Sequence, residues 1–228
     1  MTSLAAALTA GVLMMSSAAA ASAAPPKCAD LDGTVGPDQT CQISVDDPNY
    51  TMDISFPAGY PDAKGLIDYV RQTRDGYLAM AKGGGGRNAP YALEIKSTAY
   101  SSAVPPRGTQ SVVLETYESI GGPHPQNFYK TFNWDQGFRK PITIDTLWAK
   151  GSEPYPVLYP LVSAELDKQL GVPGLMSQAA GLDPASYQNF AITNDSLIFF
   201  FGRGEVLPEP AGAVAVTVPR GPVDAMIA

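Results

Sequence analysis

The chain has one histidine, His124. Any chemistry that needs an imidazole, whether a general base beside a serine, a metal ligand or a proton shuttle, must run through it. It sits between two prolines in Gly121-Gly122-Pro123-His124-Pro125, a turn-forming stretch of the kind that often carries function. The bland alternative is a ring that only packs or caps the turn. A serine nucleophile would need this base and an orienting acid. Asp135 and Asp145 are candidate acids, and spacing assigns neither. The Gly-x-Ser-x-Gly pentapeptide that places a nucleophilic serine on a strand-to-helix elbow is absent. That weakens a carboxylesterase reading without removing it, because the same constellation arises on other folds. The catalytic residues stay unknown, with His124 the single candidate. A glycosidase is less specific still, since 22 acidic residues offer many carboxylate pairs and no separations.

Metal and cofactor chemistry is poorly supplied. The two thiols, Cys28 and Cys41, with only one histidine, cannot complete a tetrahedral zinc site without carboxylates. A disulfide is expected instead, closing a loop of about a dozen residues worth roughly 3 kcal/mol. Gly83 to Gly86 follow a helical pattern and lack the Gly-Lys-Ser/Thr of a phosphate loop, so they read as a connector. Asp30-Leu31-Asp32-Gly33 lacks the later ligands of a calcium loop and reads as a turn. No metal and no cofactor is expected. Trp134 and Trp148, with Phe132 and Phe138, could line a ligand groove, although core packing is the default for such aromatics.

The elements that would position these residues are legible from periodicity. Tyr50 to Phe56 alternates apolar and polar residues as a half-buried strand does, and Pro57 ends it. From Pro61 to Lys82 the period lengthens, and Leu66, Tyr69, Val70, Tyr77, Met80 and Ala81 fall on one helical face. Tyr91 to Tyr100, Thr109 to Ile120 and Gln126 to Trp134 predict an antiparallel meander. Leu158, Leu161, Val162, Leu166 and Leu170 mark a second helix, closed by Gly171. If it begins near Val157, Pro160 falls harmlessly in its first turn. Asp183-Pro184 starts a short helical turn. Asn189 to Thr193 and Ser196 to Phe201 flank Asn194-Asp195 as a hairpin, and Ala213 to Val218 is a last strand. Leu197 to Phe201 is apolar throughout, the mark of a strand buried on both faces. The expected class is α+β, a largely antiparallel sheet with two main helices.

The N-terminus predicts export. Leu4 to Met15 is an apolar run too short to span a bilayer, and Ala21-Ser22-Ala23 supplies small residues for a signal peptidase. Residues 1–23 are expected to be a cleavable signal peptide, and 24–228 one secreted domain with no transmembrane segment. The formal charge of −7 leaves no electrostatic footprint for nucleic acid.

Pro105-Pro106-Arg107-Gly108-Thr109-Gln110, Gly121-Gly122-Pro123-His124-Pro125, Trp134-Asp135-Gln136, Arg139 to Thr143 and Asp145 to Trp148 together resemble the mycobacterial secreted immunogenic antigens, within the broader RsiV-like domain family. The likeness runs from Tyr60-Pro61-Asp62 to Val218-Pro219-Arg220. It implies a β-grasp-like fold, with Gly121, Gly122 and His124 as the family's turn. It also implies a domain that recognises a host or cell-envelope protein; separately, a monomer is expected. An esterase activity proposed among mycobacterial relatives keeps the carboxylesterase alternative open.

Overall fold

The computed structural model describes residues 27–83, 91–103, 108–122 and 124–228. The expected signal peptide and its cleavage point lie outside them, as do Gly84 to Gly86 and Pro123.

Strands β1 (Thr34–Val35), β2 (Thr40–Asp47) and β3 (Tyr50–Pro57) begin the chain's larger sheet by antiparallel pairing. Alternation decides which side chains go in, and Cys41, Ile43, Tyr50, Met52, Ile54 and Phe56 are buried while their neighbours face out. Cys28 and Cys41 are joined as expected. Gly33 lets the bridge lie against the backbone, because a Cβ there would stand 2.7 and 2.9 Å from the two sulfurs. The expected turn at Asp30-Leu31-Asp32-Gly33 is the end of a short 3-10 helix, Cys28–Leu31, at whose start Asp30 accepts from the Lys27 N–H, and no cluster of metal-ligating side chains occurs among the described residues.

After β3 the chain takes the long way to its next partner. Asp62 caps helix α1 (Ala63–Lys82), its carboxylate accepting from the Gly65 N–H at 3.0 Å. The helix carries the chain back along the sheet, so β4 (Tyr91–Ser102) joins β3 in parallel. Sequence periodicity left this parallel pair unpredicted. β5 (Thr109–Ser119) and β6 (Gln126–Asp135) then follow β4 as the expected antiparallel meander, and β7 (Lys140–Ile142), a strand the sequence did not lead us to expect, adds to it, giving seven strands in chain order. One face of this sheet, carrying Met52, Ile54, Leu93, Ile95, Val112 and Leu114, packs on Leu66, Ile67, Val70 and Tyr77 of α1. Met80, expected on that helix face, is exposed. At 100° per residue it lies about 80° round the helix from Val70, off the buried stripe.

A second, three-stranded antiparallel sheet forms from β8 (Phe190–Ile192), β9 (Ser196–Phe201) and β10 (Val214–Pro219), with β9 in the middle. Asn194-Asp195 closes the predicted hairpin, with the Thr193 N–H donating to Ser196 O at 3.0 Å. Leu197 to Phe201 is buried throughout. Leu197, Phe199 and Phe201 face Leu158, Val162 and Leu166 of α3 (Tyr155–Leu170), while Ile198 and Phe200 face Val113 of the large sheet. The layers therefore run α1, large sheet, small sheet, α3. The short helices α2 (Ile144–Leu147) and α4 (Gln178–Leu182) fill the flank.

The seam between the sheets is polar at β8, an edge strand whose outer backbone groups would otherwise be orphaned. Thr131 Oγ1 accepts from the Phe190 N–H (3.1 Å), Asn133 Nδ2 donates to Phe190 O (2.8 Å), and Ser111 Oγ accepts from the Ile192 N–H (3.3 Å).

The expectation for Pro160 fails. Helix α3 starts at Tyr155, with Pro156 in its first turn, so Pro160 lies inside it. The helix tolerates the lost N–H because its stability comes from the buried Leu158, Val162 and Leu166 stripe.

Candidate functional site

Strands β4, β5 and β6 run nearly the full length of the large sheet, so its two ends lie far apart. Gly121, Gly122 and His124 are at one end, on the turn between β5 and β6. Gly121 is required there twice over. Its φ is +78°, and a Cβ would stand 2.9 Å from Tyr91 Cε1. The turn is tied to the small sheet's following loop, where Arg203 Nη1 donates to Pro125 O (3.2 Å) and the Arg203 N–H donates to Asn127 O (2.8 Å). His124 itself is exposed. Near this end the Glu118 carboxyl is half-buried, and desolvation raises its pKa. Burial also raises the phenol of Tyr77, to about 12.

The two acids considered for His124 lie elsewhere. Asp135 ends β6, nine positions or roughly 30 Å of extended strand from Gln126, and His124 lies two residues before that strand begins. Its buried carboxylate accepts from the Phe138 N–H at 2.8 Å and so caps the turn into β7. β7 pairs Ile142 with Asn133, and Asp145 is three residues further on, exposed in α2. Three residues reach at most about 10 Å, which still leaves it far from His124. The buried serine beside Asp135 in the strand register, Ser102 opposite Thr109, is likewise at the end away from the imidazole. Neither acid forms a triad with His124.

The four aromatics do not form one groove either. Phe132 meets Tyr60 and Tyr69 edge-on within the α1 core, where Trp134 also packs, while Trp148 lies against Tyr155 beside the second core. Phe138 is exposed.

At the end away from His124 the large sheet splits. The register of β3 with β4 stops at Ile54 and Ile95, after which β3 turns off toward α1 while β4 continues to Ser102. Between them opens a groove of about 400 Å³. Its floor is Ala99, Ser101, Gln110 and Val112, and its far wall includes Asp38, Pro57 and Tyr60. Tyr60 is 5% exposed, and its hydroxyl has no hydrogen-bond partner among the described residues. Burial, aided by Asp62, raises its pKa. Asp38 is held ionised by the N–H and hydroxyl of Thr40, which lower its pKa. Sequence reasoning missed this groove, because nothing along the chain shows that Ala99 and Ser101 lie beside a departing strand.

Comparison with known proteins accounts for nearly the whole chain. Over 201 residues, 88% of this chain and 88% of theirs, it is 53% identical to the immunogenic proteins MPB64 of Mycobacterium bovis and MPT64 of Mycobacterium tuberculosis. The chain belongs to the MPT64 family. A third relative, from M. tuberculosis and named Esterase Rv3036c, is 45% identical over 199 residues, 87% of this chain and 88% of that one. The family model described as a protein of unknown function, DUF3298, matches residues 145–221. In the MPT64-family chain this span holds α3 and the small sheet but neither the His124 turn nor the groove. Solved DUF3298 structures from Bacteroides fragilis and Pseudomonas aeruginosa share the fold at TM-scores of 0.53 and 0.56. Their identities are 16% and 11%, over 85% of this chain and 95% and 96% of theirs.

Proposed function

We propose that residues 24–228 form one exported domain, released from a signal peptide near residue 23, that works as a monomer by recognising a host or cell-envelope protein. What carries this reading is the placement of the chain's single imidazole. His124 is exposed on a turn, with the roughly 30 Å length of β6 between that turn and Asp135. Meanwhile the sheet opens at its other end into a groove lined by Ala99, Ser101, Gln110, the Asp38 carboxylate and a phenol, surroundings suited to binding. The disulfide and the relatives named as immunogenic proteins support an extracellular setting. Among the described residues no helix is long and apolar enough to cross a membrane.

The relative named an esterase favours a second reading, a carboxylesterase that uses His124. One assay separates the two. Purified protein is expected to show no saturable hydrolysis of short-chain p-nitrophenyl esters. General-base catalysis contributes about 10²–10⁴-fold, so saturable turnover that His124→Ala removes at unchanged Tm overturns the recognition reading.

A further inference from the structure

Backbone direction settles what the groove offers. The Tyr91 N–H donates to Asn49 O (3.0 Å), and Ile95 O accepts from Ser55 Oγ (3.4 Å). Odd-numbered residues of β4 therefore turn their N–H and C=O groups toward β3. The pairing of β4 with β5 runs without a bulge from Ala92 opposite Ser119 to Ser102 opposite Thr109, so Ser97, Ala99 and Ser101 keep that direction. β3 has left by then, and these three residues have no strand partner on that side among the described residues. Ala99 and Ser101 are exposed, as a bare edge requires.

We propose that this groove takes an extended, basic peptide segment of another protein as an added strand on β4, opposite Ser97, Ala99 and Ser101. The proposal rests on the recognition reading and names the ligand class of that site. A row of unpaired amide donors and carbonyl acceptors is complementary to one thing above all, another extended backbone. The short side chains of Ala99 and Ser101 on the floor leave room for the guest's alternate residues. The sign of the guest's charge follows from the Asp38 carboxylate in the wall and the net charge of −7.

The test uses the whole secreted chain and a capped hexapeptide, Lys-Val-Thr-Val-Thr-Lys, beside its alternately N-methylated form and its Glu-flanked counterpart. The lysine peptide is expected to bind saturably and to slow amide exchange at Ser97, Ala99 and Ser101 about tenfold or more. The methylated and glutamate peptides should do neither. Ala99→Pro removes an outward N–H at an edge, where proline is tolerated, and should weaken binding about tenfold at unchanged Tm. If Ala99→Pro lowers Tm, the methylated peptide decides alone. Equal binding of the methylated peptide overturns the added strand, as does protection of the three amides before any peptide is added, with sedimentation then telling a second copy from the chain's own N-terminus. Binding with protection elsewhere, or no binding and no ester turnover, sinks the site but leaves recognition standing. Ester turnover through His124 fails the recognition reading itself.

Discussion

The two ends of the large sheet are closed in opposite ways. At the His124 end each strand from β2 to β6 keeps its neighbour in register, and Arg203 staples the β5–β6 turn to the loop after β9. At the other end β3 and β4 part after five paired positions, and the groove lies between them. Connection explains the difference. Antiparallel neighbours joined by tight turns are held in register by the turn, whereas β3 and β4 are joined through α1 and their parallel ladder has no turn to carry it past Ile54 and Ile95. The open end is the one that carries a disulfide, which ties β2, the partner of β3, to the turn at Cys28.

Breaking that bridge should give the largest effect. Replacing both cysteines by serine is expected to cost about 3 kcal/mol in a denaturant titration, for a loop of 13 residues. Exchange should rise first at the β2–β3 pair around Cys41 and Phe56, while the His124 turn stays protected. Uniform loosening of both ends would erase the contrast drawn here.

At the closed end, Gly121→Ala should cost about 1–2 kcal/mol, since it places a Cβ at φ +78° and against the Tyr91 ring. A change within about 0.5 kcal/mol would mean that this turn is as free as an ordinary surface loop.

The smallest expected effect sharpens the electrostatic side. Burial raises the Glu118 pKa, so folding favours its neutral form. The folded state then binds the proton more tightly than the unfolded chain, and stability falls as pH rises from the ordinary carboxylate range through the raised value. Glu118→Gln should therefore lift Tm slightly at neutral pH, and the gain should vanish below about pH 4, where both states are protonated. A gain independent of pH would show that packing, not charge, sets the difference.

Much of the fold was legible because its signals are local. Alternation in Tyr50 to Phe56, the stripe through Leu66, Val70 and Tyr77, and the Asn194-Asp195 hairpin all report short-range geometry. Partner choice is not local. The unbroken apolar run Leu197 to Phe201 announces burial on both faces, but it does not say that one face meets α3 and the other a second sheet. The parallel pairing of β3 and β4 left no mark in either strand. One result at the candidate site was available early: a single strand from Gln126 to Trp134 already puts Asp135 far from His124. The groove left no trace, because Ala99 and Ser101 become meaningful only where a neighbour strand departs.

The seam at β8 has a practical consequence for anyone trimming the molecule. The span matched by the DUF3298 model, 145–221, contains the whole small sheet. The side chains of Ser111, Thr131 and Asn133, which occupy the outer rim of β8, lie upstream of it. A fragment cut to those limits would carry β8 with its rim bare and Ile198 and Phe200 stripped of their cover. Such a piece would be adhesive toward its own copies, and the upstream half is in that sense its built-in sheath.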